Sequence, residues 1–319
     1  FGGNTASYKF ALARALLDLA EEQKTQLTLA ELAPAYSSNI CQHLRKFDKQ
    51  ATSNGSRFLE SCRSFNRDEI SEDQLIHETV RHGFRYVLKA FHKVNQDDVD
   101  FRFFTDDSKS GGGITLTDEL LQLRTDIQGS SLGQEVEARW NLVEAAWSLN
   151  LGRNLISVEA DNDEGVLFVN SQRRINITSS RDALNGYQKG RCFYCFDEIS
   201  VASNSDRMAD VDHFFPWVLK RDGIAMDVDG VWNLVLACRR CNRGSDGKFA
   251  QIPAISLVER LNRRNDYLID SHHPLRETLI RQTGASPIDR SHFLQRKFDA
   301  AVSALVHTWA PQPMAPATF

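Results

Sequence analysis

The sequence predicts an α+β protein: a mostly helical N-terminal domain, a smaller strand-containing domain braced by cysteines, and a helical C-terminal extension. Three observations carry this expectation. Apolar residues recur at helical spacing through most of residues 1–154; near 155–178 apolar and polar residues alternate; and four of six cysteines form two Cys-x-x-Cys pairs, Cys192/Cys195 and Cys238/Cys241. With 319 residues, 41% apolar and 25% charged, the chain has globular composition. It is long enough for two domains at roughly 100–200 residues each.

From Ser7 to Glu21, Phe10, Ala13, Leu16, Leu17 and Ala20 fall on one helical face, and "LTLAELAPAYSSNICQHLRKF" continues in that period. Further helices are predicted over 72–93 and 132–150. Between them "DFRFFTDD" reads as a strand entering the turn-forming "SKSGGGITL", and "TDELLQLRTDI" returns to helix with Thr117 or Asp118 as cap. The aromatics of "DFRFF", with Trp140 and Trp147, are expected in the core rather than on a base-stacking surface. The domain boundary falls where "LISVEAD", "NDEG" and "VLFVNSQRRINIT" spell a β-hairpin. "SSRDALNGYQKGRCFYC" then supplies a short helix leading into the first cysteine pair. A long helix is predicted after Pro253 and another over 290–308, while the Pro-rich "WAPQPMAPATF" is expected to fray. His272 and His273 in "DSHHPL" are read as a loop packing on the preceding helix. The domains are therefore drawn at 1–154, 155–255 and 256–319. No internal repeat or low-complexity tract argues for a solenoid or a disordered scaffold.

The net charge of −4 and pI of about 6.2 exclude a basic nucleic-acid coat, so contact with a polyanion has to come from a local patch. No run approaches the roughly 18–20 apolar residues of a membrane span, and "FGGNTASYKF" lacks the layout of a secretion signal. A soluble, cytoplasmic chain without a membrane partner is the expectation. Residue 1 is Phe, so residues are expected to precede it. In that setting two Cys-x-x-Cys turns some 42 residues apart favour a four-thiolate Zn²⁺ site over a disulfide framework. Cys41 and Cys62 are read as buried thiols.

The chemistry concentrates in three ordered stretches. "CFYC" is followed by "DVDHFFPW", which carries Asp212 and His213. "NLVLACRRCN" then supplies Asn233, Cys238, Cys241 and Asn242, and leads into the basic "RGSDGK". Strand alternation sends Asp212 and His213 to opposite faces. Over residues 181–255 this pattern resembles the HNH endonuclease family. The resemblance implies a ββα-metal fold, one catalytic Mg²⁺ or Mn²⁺, a structural Zn²⁺ and DNA as substrate. It assigns His213 as general base, Asp212 and Asn242 as catalytic-metal ligands, Asn233 as the residue that holds the His213 loop, and Cys192, Cys195, Cys238 and Cys241 as zinc ligands.

Two departures stand out. The third signature residue is Asn242 rather than His, and "RGSDG" separates it from Lys248, so Arg243 and Lys248 compete for a substrate phosphate. Arg239, Arg240, Arg243, Lys248, Arg260, Arg263 and Arg264 together are expected to follow a nucleic-acid backbone. The resulting expectation is an endonuclease of bacterial restriction or anti-phage defence, with the N-terminal domain recognising DNA, binding a partner protein or forming a homodimer. The alternatives are a nickase or junction endonuclease of recombination, and a zinc module that binds nucleic acid without cutting it.

Overall fold

A computed structural model describes residues 6–20, 24–51, 55–94, 97–108, 112–125, 129–148, 158–161, 166–169, 175–202, 205–220, 226, 228 and 230–319. The chain forms two compact units, Phe1–Arg153 and Asn154–Phe319, and it mixes helices with small sheets. No helix among the described residues is long and apolar enough to cross a membrane.

In the first unit, α1 (Tyr8–Leu19) buries Phe10, Leu12, Ala13 and Leu16. Strand β1 (Gln26–Thr28) runs straight into α2 (Leu29–Lys46). Thr28 makes the turn possible by closing a capping box: its hydroxyl accepts from Glu31 N (3.2 Å) while the Glu31 carboxylate accepts from Thr28 N (2.8 Å). Next come α3 (Arg57–Asn66) and α4 (Glu72–Glu78). The single helix expected over 72–93 is interrupted, because α4 passes into a π-helical turn (Thr79–Gly83) before α5 (Val87–Phe91). Gly83 accounts for the break. Its carbonyl accepts from the Tyr36 hydroxyl (3.2 Å), and a Cβ at Gly83 would lie 3.1 Å from the Tyr36 ring and 3.3 Å from that of Phe58. Tertiary packing on those rings overrides the local helical period.

Short strands β2 (Lys93–Val94) and β3 (Asp97–Asp98) form a hairpin. β4 (Phe104–Asp106) and β5 (Gly113–Leu116) join β1 in a three-stranded antiparallel sheet, ordered β1-β5-β4. Helices α6 (Asp118–Thr125) and α7 (Gly129–Ser148) complete the unit. Trp140 and Trp147 are buried in its core with Phe10, Tyr36 and Phe58, as are Cys41 and Cys62. The expectation for "DFRFF" needs correction at Phe101, which is 67% exposed, whereas Phe104 is buried.

The second unit begins with β6 (Val158–Asp161), β7 (Val166–Val169) and β8 (Ile175–Ser179) in an antiparallel meander. The expected hairpin has one strand more, because "VLFVNSQRRINIT" contains two strands of ordinary length; residues 170–174 lie outside the described residues. Helix α8 (Ser180–Gln188) leads to the first cysteine pair. Strand β9 (Asp210–His213) precedes two 3-10 turns at Trp217–Lys220 and Val231–Asn233. β10 (Leu234–Ala237), pairing antiparallel with β9, and α9 (Arg239–Arg243) follow. After β11 (Ile252–Pro253) come α10 (Ile255–Asp270), α11 (Arg276–Thr283), α12 (Pro287–Ala304) and β12 (Thr308–Trp309).

Far from fraying, the Pro-rich tail packs. β12 pairs parallel with β11, Trp309 Nε1 donates to the Asp246 carbonyl (2.9 Å), and Met314 N donates to that of Cys195 (2.9 Å). The Phe319 ring meets those of Tyr187 and Phe196 at 4.8 and 4.9 Å. Aromatic burial outweighs the chain entropy that proline-rich composition alone would suggest. His272 and His273 sit in the turn after α10, where His273 is buried and its Nδ1 accepts from Leu275 N (3.1 Å).

Candidate functional site

The second unit's chemistry-bearing residues gather where the two cysteine turns meet the β9–β10 pair. The first turn is closed by Phe196 in the left-handed region (φ 63°), whose N–H donates to the Cys192 carbonyl (3.1 Å). Phe193 N extends the turn onto β10 through the Leu236 carbonyl (2.9 Å). The second turn begins at Cys238, the N-cap of α9, whose sulfur accepts from Cys241 N (3.5 Å) and whose N–H points at Cys192 Sγ (3.3 Å).

All four sulfurs lie within 4.8 Å of one another, and those of Cys195 and Cys238 are 3.7 Å apart. Four thiolates about 2.3 Å from a tetrahedral zinc would place sulfurs at about 3.8 Å. The donor set is therefore one that can hold a metal ion and is compatible with structural zinc. Cys192, Cys195 and Cys241 are buried and Cys238 is half-buried. Hydrogen bonds from Cys192, Cys238 and Cys241 pull the Cys195 thiol far below its ordinary value, and a hydrogen bond to the Cys195 sulfur raises the pKa of the Arg240 guanidinium.

On β9 the burial alternates: Asp210 and Asp212 face inward, while Val211 and His213 are half-buried on the other face. Asp212 and His213 thus sit on opposite sides of one strand, with His213 opposite Leu234. The Asp212 carboxylate is already engaged. Oδ2 accepts from the Tyr194 hydroxyl (2.6 Å), and Oδ1 lies 3.3 Å from the Lys248 ammonium. Burial pushes the Asp212 pKa up against the opposing pull of Lys248 and Tyr194. Lys248, with 0% exposure, also donates to the carbonyls of His213 (2.9 Å) and Phe249 (3.2 Å). The expectation that Lys248 meets a substrate phosphate is corrected here, since its charge is spent internally on Asp212. Asp212 thus enters a buried network, with a hydroxyl on one oxygen and an ammonium beside the other.

Asp210 is the residue that sequence reasoning missed. One of its oxygens accepts from Asn242 Nδ2 (3.0 Å) and the other from Arg243 (2.9 Å). It joins Asn242 and Arg243 to β9, so the structure brings Asn242 beside Asp210 and places Lys248 on Asp212. The strand period carried the signal, because two residues before Asp212 is the same face. Asn242 turns its amide nitrogen to Asp210, so both oxygens of Asp210, like both of Asp212, accept from a neighbouring donor.

Asn233 is fully buried and binds the start of the intervening loop from three sides. Its Oδ1 accepts from Phe215 N (2.8 Å), and its Nδ2 donates to the carbonyls of Phe215 (3.0 Å) and Val228 (2.9 Å). Phe214 N donates to its backbone carbonyl (2.7 Å). The residue that follows His213 is thereby held at a fixed register. Gln188 supports the other strand by exchanging two hydrogen bonds with Leu236, each 2.8 Å.

Two arginines expected along a nucleic-acid backbone are structural instead. Arg264 is buried and donates to the carbonyls of Trp232 (3.0 Å) and Leu234 (2.7 Å), with burial lowering its pKa to about 9. Arg260 donates to the Tyr194 carbonyl (3.1 Å) and lies 4.2 Å from the Phe196 ring centroid. Arg239, Arg240 and Arg243 remain exposed on α9, as does Arg263 on α10.

Compared with protein-family models, with curated proteins and with solved structures, the chain has no match.

Proposed function

We propose that the second unit is a metal-dependent endonuclease of the HNH type that hydrolyses DNA phosphodiester bonds. The supporting observation is the antiparallel β9–β10 pair followed by α9, which holds His213 at the end of one strand and sets Asp210 beside Asn242. In this reading His213, whose imidazole is the side-chain type suited to general-base work near neutral pH, takes the proton of the attacking water as the new P–O bond forms. The P–O3′ bond breaks and the leaving O3′ takes up a proton from solvent, which gives a 5′ phosphate and a 3′ hydroxyl. A Mg²⁺ or Mn²⁺ ion held among Asn242 and the β9 carboxylates would supply charge stabilisation at the phosphate and leaving oxygen. Asn233 is a positioning residue that fixes the loop after His213. Zinc on the four thiolates offers no open position and serves the fold. One such centre cuts one strand, so a double-strand break takes two copies or two successive nicks. Restriction or anti-phage defence is the setting this reading favours, by analogy with nucleases of this type.

One observation favours a second reading, in which the unit binds nucleic acid without cutting: the Asp212 carboxylate is committed to Lys248 and Tyr194. Cleavage of supercoiled plasmid with Mg²⁺ or Mn²⁺ separates the two. Wild type is expected to nick or cut, and His213→Ala and Asp210→Ala to be inactive while still binding DNA. No cleavage by wild type of supercoiled, linear or branched DNA would leave the binding module.

A further inference from the structure

Phe249 is a large apolar side chain placed outward at the centre of this site. It is 55% exposed, and its backbone adopts φ 46°, a left-handed conformation that bulky residues rarely enter. The conformation is held from both ends. Phe249 N donates to the Asn242 carbonyl (3.1 Å), and the Phe249 carbonyl accepts from Lys248 Nζ (3.2 Å). That same ammonium holds the His213 carbonyl (2.9 Å) and pairs with Asp212. Preceding it, Lys248 N bonds the Cys241 carbonyl (2.7 Å), which ties the turn to the second cysteine pair. The strained backbone of this exposed residue is therefore held one hydrogen bond from Asn242 and one shared ammonium from His213.

Strain of this kind persists where surrounding bonds over-determine it, and it concentrates at sites that handle ligands. The neighbourhood indicates which ligand. Arg239, Arg240 and Arg243 are exposed on α9, the helix whose Asn242 carbonyl anchors Phe249. Guanidinium groups on the helix that anchors an exposed aromatic residue match a nucleic-acid backbone and a base face, respectively. In a regular duplex, neighbouring base pairs cover each base face. A single exposed ring then finds a partner only where a base is unpaired or a step is opened.

We infer that Phe249 stacks on an unpaired nucleobase next to the scissile phosphate, and that this site acts on DNA with unpaired bases in preference to regular duplex. The inference rests on the nuclease reading above and deepens it. The zinc-loaded full chain is titrated into three oligonucleotides carrying 2-aminopurine: single-stranded, bulged and fully paired. Wild type is expected to bind the first two more tightly and to change their 2-aminopurine emission. Phe249→Ala is expected to bind unpaired DNA at least about tenfold more weakly while binding duplex as before. Phe249→Trp is expected to restore the affinity, and Phe249→Gly, which relieves the positive φ, removes the ring should the Ala chain fold poorly.

Equal binding of all three substrates by wild type and by the ring-deleted variants overturns the stacking inference. His213→Ala, measured in parallel, keeps the two questions apart. If cleavage depends on His213 and nothing depends on Phe249, only the stacking fails. If wild type cuts no substrate while loss of the ring still weakens binding to unpaired DNA, the nuclease reading fails and the stacking stands.

Discussion

Lys248 has no exposed surface, and oxygen atoms surround its side-chain nitrogen: Asp212 Oδ1 and the carbonyls of His213 and Phe249. A buried pair of this kind contributes little over an apolar replacement, but deleting one partner strands the other at a cost of about 3–5 kcal/mol. Lys248→Met and Asp212→Leu are each expected to destabilise the second unit by that amount. The double variant should lose well under the sum, which a double-mutant cycle in urea measures; additive losses would mean that the two groups do not interact. The components of this network were unequally legible. Asp212 and His213 stand out as neighbours in an apolar run, and Asp210 follows from the strand period. The partnership of Asp212 with Lys248 and Tyr194 links residues from three separate stretches, and no local pattern connects them.

Between elements, the first unit joins α2 to α7 through a buried polar cluster. His43 stacks on Trp140 at 3.4 Å, its Nδ1 meets Glu144 (2.7 Å) and its Nε2 meets Glu137 (3.1 Å), while Gln50 bridges Glu144 and Trp140 Nε1. Burial alone would lower the His43 pKa, but the two carboxylates outweigh it and hold the value above the ordinary one. A histidine with its folded pKa raised stabilises fully below the unfolded value of about 6.5, and that stability is lost as pH rises through the folded pKa. The first unit is therefore expected to weaken as pH climbs above about 6.5, with Trp140 emission reporting the change. His43→Gln should flatten this slope; an unchanged slope would assign it elsewhere. Helical periods announced α2 and α7, whereas the polar link depends on residues 101 positions apart, His43 and Glu144.

Elements of two residues were the least visible. β12 gains its meaning only from β11, through pairs such as Ile252 with Thr308, and proline content argued against order there. Trp309 supplies the compensation by burying its indole and donating to the Asp246 carbonyl. Trp309→Ala is expected to cost the second unit about 3–5 kcal/mol. It should also speed zinc transfer to a chromogenic chelator, because the tail reaches the first cysteine turn through Met314 and Cys195. Release at the wild-type rate would mean that the tail and the cysteine cluster are energetically independent.

At the scale of the whole molecule, the two units stand on different foundations. The first has a large continuous core drawn from α1, α2, α3 and α7, with aromatic stacking through Tyr36, Phe58 and Phe84. In the second, α9 spans only five residues and starts at a cysteine cap, so its first turn is organised by the same sulfurs that can hold the metal. A five-residue helix is far below the length that is stable by itself. Four-thiolate zinc contributes folding free energy of about 10–16 kcal/mol in small domains. Chelation is therefore expected to unfold the cysteine-braced region and expose the Trp232 environment, while leaving the helical signal and the pH response of the first unit in place. Cys195→Ser should reproduce that outcome without chelator. Far-ultraviolet circular dichroism followed during titration with a zinc chelator, alongside urea unfolding of the stripped chain, reads both units at once. Simultaneous loss of the two would show that the first unit's core is insufficient by itself, and no loss at all would remove the metal from the account of the second unit's stability.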